Sequence, residues 1–182
     1  MQFNSITFLF VFLPVFLGVY FLLPAKAKNY FILFGSFVFL AWASVSFLLL
    51  ILFSVLINFQ LGLIIDNQQD KHIRKSLFVI ALILNLLALL VFKYAGFMVV
   101  NFSVILNVFG LKSMKNPGLF LPLGISFYTF RILSYHIELY RQKIQVQKNI
   151  ANLALYIAFF PQLSAGPIVR YRDFFPGKKI IP

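Results

Sequence analysis

The 182-residue sequence contains no cysteine. That excludes disulfides, thiolate nucleophiles and cysteine-based metal sites. Its two histidines, His72 and His136, stand far apart with no metal-ligand spacing. Acidic residues are nearly missing, with 4 Asp+Glu against 16 Lys+Arg and a net charge of +12. Only 11% of residues are charged, where a soluble domain carries about a quarter. No glycine-rich phosphate loop is present. Gly124-Ile125-Ser126 lacks the second half of a nucleophile elbow, so Ser126 reads as structural. There is no tandem repeat and no low-complexity tract.

Apolar residues fill the space. The chain is 62% hydrophobic and 19% aromatic, with 25 Phe and a mean hydropathy of +0.94. This is the composition of an all-α polytopic membrane protein. The surplus of positive charge would suggest nucleic acid in a soluble domain. Here nearly all the basic residues fall in the connections between apolar runs, where they act as topology signals and attract anionic lipid headgroups. Nucleic acid is therefore not expected as a partner.

The runs predict about five to six transmembrane or re-entrant helices. Ile6–Leu23 is uncharged and lacks the basic start and small-residue cleavage site of a signal peptide, so it reads as a retained helix. Asn29–Ile65 has no charge either. As one helix it would measure about 55 Å against a hydrocarbon core of about 30 Å. It must fold into two passes, the first of them short, with a turn at Ala41–Ser46 and Trp42 at the interface. Asp66–Lys75 is the one clearly hydrophilic loop, Ser76–Phe92 a further span, and Tyr94–Leu111 an interfacial segment. Asn116-Pro117-Gly118 is a turn, Phe120–Tyr140 a helix loosened at its start by Pro122 and Gly124, and Asn149–Val169 the last apolar run.

The basic residues set the orientation. With the N-terminus outside, Lys26, Lys28, Lys71, Arg74, Lys75, Arg141, Lys143 and Lys148 fall inside, and only Lys93, Lys112 and Lys115 fall outside. If the last run is re-entrant, Arg170, Arg172, Lys178 and Lys179 join the inner set, which explains why both its flanks are basic. That run holds the most informative stretch, Phe159 to Tyr171. An apolar helix runs into Pro161 and Gln162, Gly166 and Pro167 break the backbone, and Arg170 and Arg172 follow. A broken helix at membrane depth exposes backbone groups that cost several kcal/mol each unless protein or a watery cavity meets them.

Arg131 stands in mid-helix, where a charge costs about 2.5–3.5 kcal/mol on insertion scales and must face protein or water. Tyr128, Arg131, Tyr135 and Glu138 fall on one helical face. Two readings stay open: a polar stripe lining a substrate path, or interhelical glue with Arg131 bonding carbonyls or a carboxylate. His136 lies just off the stripe, and no carboxylate is placed to orient it as a base. His72 reads as solvated in its loop. Asn58, Gln60 and Asn85, inside apolar runs, read as interhelical amides. Arg170 and Arg172 either hold an anionic group or anchor to headgroups.

Phe8 to Pro14, Tyr20 to Pro24, the Phe92-Lys93-Tyr94 triplet, Leu121-Pro122-Leu123-Gly124-Ile125-Ser126-Phe127-Tyr128-Thr129-Phe130, Leu133-Ser134-Tyr135 with Tyr140-Arg141, and Phe159 through Asp173-Phe174 together resemble the membrane-bound O-acyltransferase family, in its bacterial alginate O-acetylase-like branch. The resemblance covers essentially the whole chain in order. It implies a multi-helix enzyme of the bacterial inner membrane that moves an acyl group, acetyl here, to hydroxyls of an exported polysaccharide such as alginate. The donor would be a cytoplasmic thioester, acetyl-CoA or an acylated carrier. It serves as substrate, with no bound cofactor and no metal. Membrane lipid, the polysaccharide and periplasmic acetylation proteins would be the partners.

In the family the essential histidine sits on a later helix with no counterpart here. Residues 1–182 are thus expected to form a single membrane-embedded N-terminal portion, silent by itself, with no catalytic residue of its own. Tyr128, Arg131, Tyr135, Pro161, Gln162, Gly166, Pro167, Arg170 and Arg172 would line the donor and substrate tunnel. Three positions depart from the family pattern: His136 stands where relatives carry an apolar residue, Arg131 where Gln is expected, and Glu138 where Asp is usual. The alternative is a small non-enzymatic membrane scaffold or transport subunit. An apolar, histidine-containing continuation downstream would favour the enzyme.

Overall fold

The computed structural model describes residues 5–108, 124–163 and 169–175. Among them there is no strand. Apolar runs in lipid leave the backbone no partner but itself, and the helix is the local solution. The chain opens with a π-helical turn, Phe8–Phe12, that runs into α1, Leu13–Leu22. The wide turn sits just before Pro14, which has no N–H to donate. Leu13 donates instead to the Phe8 carbonyl, five residues back.

α2 covers Ala25–Ala43 and α3 Val45–Asn67. The expected fold-back is therefore present, reduced to one extended residue, Ser44, beside a largely exposed Trp42. The first pass is short, as expected. Past Lys26 and Lys28 it leaves Asn29–Ala43, about 22 Å of helix. The hydrophilic loop is narrower than Asp66–Lys75, because Asp66 and Asn67 finish α3 and only Gln68–Asp70 lie between helices. Asp70 Oδ1 accepts the N–H groups of His72 and Ile73 at 2.7 and 3.2 Å and so starts the next helix at Lys71, five residues earlier than composition suggests. His72 is exposed in its first turn.

That helix, α4, spans Lys71–Val108 without a break. The expected boundary at Phe92 is absent, and the segment from Tyr94 continues the same helix. No proline interrupts the stretch, and Asn101 folds its side chain back to the Phe97 carbonyl at 2.7 Å rather than competing with the helix. Among the described residues, α3 and the Lys71–Tyr94 part of α4 are the two stretches long and apolar enough to cross a membrane. α5 covers Ile125–Tyr140, α6 Ile150–Ala158, α7 Phe160–Leu163 and α8 Tyr171–Phe174. The predicted turn at Asn116-Pro117-Gly118, the start of the helix at Phe120 with Pro122, and Lys112, Lys115, Gly166, Pro167, Lys178 and Lys179 lie outside the described residues.

α5 runs through the middle of the core, and α3, α4, α6 and the two short helices pack around it. One face is held by amides. Asn58 and Asn85 exchange hydrogen bonds at 2.7 and 3.1 Å between α3 and α4, and His136 Nε2 reaches Asn58 Oδ1 at 2.9 Å from α5. Two of the three predicted interhelical amides thus pair with each other, whereas Gln60 is exposed. At one end Arg74 Nη2 donates to the Leu139 carbonyl at 3.2 Å, and Phe78 stacks on Tyr140 with ring centres 4.3 Å apart. The start of α4 therefore lies against the end of α5. Arg74, Arg141, Lys143, Arg170 and Arg172 gather at that end of the bundle.

Candidate functional site

α6 has nine residues, about 14 Å of helix and less than half a hydrocarbon core. Its start is capped locally. Asn149 Oδ1 accepts the N–H groups of Ala151 and Asn152 at 2.9 and 3.4 Å. Its end comes at Phe159 (φ −56°, ψ 105°), two residues before Pro161. The expectation that the helix runs into Pro161 is corrected here. The backbone turns at Phe159, and Pro161 sits exposed inside the next short helix, where its missing N–H costs nothing.

Breaking a helix frees its last carbonyls and the following N–H groups. Side chains from elsewhere in the chain meet them. The Tyr156 carbonyl would have accepted from Phe160 N–H in a continuous helix. It accepts instead from Arg131 Nη1 at 2.7 Å, fully buried. The Phe160 N–H donates to Ser36 Oγ of α2 at 3.3 Å. The other arm of the guanidinium, Nη2, donates to the side-chain carbonyl of Gln162, and the guanidinium lies over the Tyr156 ring, 5.7 Å from its centre. Arg131 thereby ties both sides of the break to α5.

Packing anchors the same point. The Phe160 ring stands 5.4 to 5.7 Å from the rings of Phe12, Phe16 and Phe39, edge-on to the first two, an arrangement worth about 0.5–1.5 kcal/mol per pair beyond burial. Gly124, at φ +72°, starts α5 so close to α7 that a Cβ would stand 2.7 Å from the Leu163 carbonyl oxygen. Only glycine meets both demands without strain. The chain at Val169 is tied back to α6 by Tyr156, whose hydroxyl donates to the Val169 carbonyl at 3.0 Å.

The polar face of α5 is buried in full: Tyr128, Arg131, Tyr135 and Glu138 all lie inside. Tyr135 Oη accepts the Gln147 N–H at 3.2 Å, and Gly62 on α3 leaves the space that this hydroxyl fills. Gln147 Nε2 donates to the Tyr171 hydroxyl. Burial pushes that phenol, beyond the last apolar run, up to about 12, and the Gln147 bond pulls the other way. Glu138 Oε2 accepts the Arg172 N–H at 3.4 Å, and Oε1 lies 3.8 Å from Arg172 Nε. The polar bonds of Arg131, Tyr135 and Glu138 named here all go to protein.

Beside this face opens a cavity of about 440 Å³, which Arg170 and Arg172 line together with Arg141 and Lys143. Sequence reasoning missed Ser36, Lys143 and the tie between His136 and Asn58. A usable signal for the last was present, namely single polar residues in three apolar runs that have only one another to pair with. His136 is held by an amide rather than a carboxylate, and its Nδ1 has no hydrogen-bond partner among the described residues. Among those residues no three His, Asp or Glu side chains converge as metal ligands would.

No family model matches the chain, and no solved structure matches it. Similarity to curated proteins is extensive. The chain is 38% identical over 175 residues to the protein named "Probable alginate O-acetylase AlgI" of Azotobacter vinelandii, covering 95% of this chain and 35% of the relative. It is 38% identical over 174 residues to the protein of the same name in Pseudomonas aeruginosa, covering 95% and 34%. To the "Peptidoglycan O-acetyltransferase" of Helicobacter pylori it is 32% identical over 207 aligned residues, covering 97% and 38%. The chain thus spans about a third of the length of these relatives. An all-helical fold, a helix broken inside an apolar run and this kinship along nearly the whole chain converge: it belongs to the membrane-bound O-acyltransferase family, in its alginate O-acetylase-like branch.

Proposed function

We propose that this chain forms the donor entrance of an O-acetyltransferase that modifies a polysaccharide. One observation carries the reading. The helix break after α6 is held by α2 and α5 through Ser36 and Arg131, and the cavity that Arg170 and Arg172 line runs along the same helix, α5. A fold that supplies remote partners for a broken helix maintains an irregular backbone at depth, which membrane proteins tolerate where it is packed in protein or lines a cavity. The basic end of the bundle faces the cytoplasm of a bacterial inner membrane, with the N-terminus outside. A thioester donor, acetyl-CoA or an acylated carrier, enters there as substrate.

Tyr128, Arg131, Tyr135, Pro161 and Gln162 border its path; Gly166 and Pro167, assigned to the same tunnel from sequence, lie outside the described residues. The acceptor is an exported polysaccharide such as alginate, reached with periplasmic acetylation proteins as partners, and surrounding lipid covers the apolar surface. The chemistry belongs to a histidine elsewhere in the family's chain, so the residues here position and admit rather than react. In a full-length relative, alanine at the positions equivalent to Arg170 and Arg172 should raise the donor KM about tenfold or more, one charge-assisted contact being worth about 1.5–3 kcal/mol. An unchanged donor KM would overturn the assignment.

A further inference from the structure

The cavity at the end of α5 collects four cations from two connections far apart in sequence. Arg141 and Lys143 come from the α5–α6 loop, and Arg170 and Arg172 from the entry to α8. One carboxylate among the lining residues, Glu138, faces them, and it is already engaged by the Arg172 backbone N–H and Nε. Asp173 lies 3.5 Å from the same Nε. Among the described residues no carboxylate stands within 4.0 Å of Arg141, Lys143 or Arg170. Four like charges around about 440 Å³ repel one another, and a concave wall of one sign focuses the field on an anion.

The rest of the wall sets the shape of the ligand. Phe130, Leu133 and Ile137 form an apolar side along α5, and Ser134 lines the cavity beside them. A carboxylate would engage one or two of the cations. A phosphate, with three acceptor oxygens and a charge near −2, matches several at once, and the guanidinium fork suits it bidentately. We propose that this cavity binds a phosphate group whose attached organic part lies along the apolar side of α5. The phosphate belongs either to an anionic lipid headgroup or to a phosphorylated acyl donor. The second source deepens the donor-entrance reading and rests on it, whereas the site itself does not.

The test is binding, with no acyl transfer involved, so it fails or succeeds apart from the donor KM experiment. The whole chain is placed in phosphatidylcholine nanodiscs and titrated calorimetrically with inorganic pyrophosphate. A second arm adds phosphatidylglycerol and counts retained lipid by native mass spectrometry. Arg141→Ala, Lys143→Ala and Arg170→Ala change exposed side chains and should each weaken binding about tenfold. Lys71→Ala removes the same charge outside the cavity and should leave binding unchanged. Pyrophosphate binding with this pattern identifies the soluble donor as source, and lipid retention alone with this pattern identifies the headgroup. Binding of neither probe, or equal loss in Lys71→Ala, overturns the site.

Discussion

The two ends of α6 are finished in opposite ways. At the start, Asn149 caps the N–H groups two and three residues ahead, so the whole device sits in four consecutive residues. At the end, the freed carbonyl is met by Arg131, 25 residues away, and the freed N–H by Ser36, 124 residues away. The start draws on no residue outside α6 and its own cap. The end requires α2 and α5 to be in place first. A helix stop that depends on tertiary partners is a designed opening in the fold, whereas a local cap is only a boundary.

That contrast yields a graded set of expectations. Arg131→Ala should do the most damage, about 3 kcal/mol, because it leaves a buried carbonyl and a half-buried amide without their charged donor. Denaturant unfolding in detergent measures the loss, and limited proteolysis should find new cleavage near Phe159. A loss below about 1 kcal/mol would mean that the break does not depend on its remote partner. Asn149→Ala removes a local cap and should cost about 1 kcal/mol with no new cleavage at Phe159. If it matched Arg131→Ala, the two ends would not differ. Arg172→Ala breaks a tie that is about one-third exposed on the arginine side, and it should cost about 0.5 kcal/mol. A loss of 2 kcal/mol or more would place α8 within the clamp.

The sequence makes local and length-limited features legible. An uncharged run from Asn29 to Ile65 is too long for one crossing, so the fold-back at Ser44 follows from arithmetic. The spacing of Tyr128, Arg131, Tyr135 and Glu138 gives a single buried face, and the run of basic residues past Pro167 gives a basic exit. Two errors share one cause, that hydropathy does not see hydrogen bonds. Asp70 caps α4 and shortens a loop that composition makes long, and Asn101 bonds back to its own helix within the stretch that composition sets apart from the span before it. Pairings such as Ser36 with Phe160, or His136 with Asn58, depend on which helices meet, and no local pattern carries that. Arg131 shows the division well: its need for a partner was evident, while the identity of the partner, a carbonyl released by a break, was not.

α4 also acts as a gauge of thickness. Arg74, fixed against the end of α5, and Lys93 are nineteen residues apart on one uninterrupted helix, about 28 Å along its axis. Lys93 lies over the ring of its neighbour Tyr94, 5.4 Å from its centre, the lysine and aromatic pairing that favours a headgroup boundary. That separation comes close to the thickness of a hydrocarbon layer, about 30 Å. The helix does not stop there. It continues to Val108 with Phe97, Met98 and Val104 exposed. Whatever covers that apolar extension, headgroups or another helix, meets a rigid rod, so a change in bilayer thickness would reach the core of the protein as a tilt of α4 against α5.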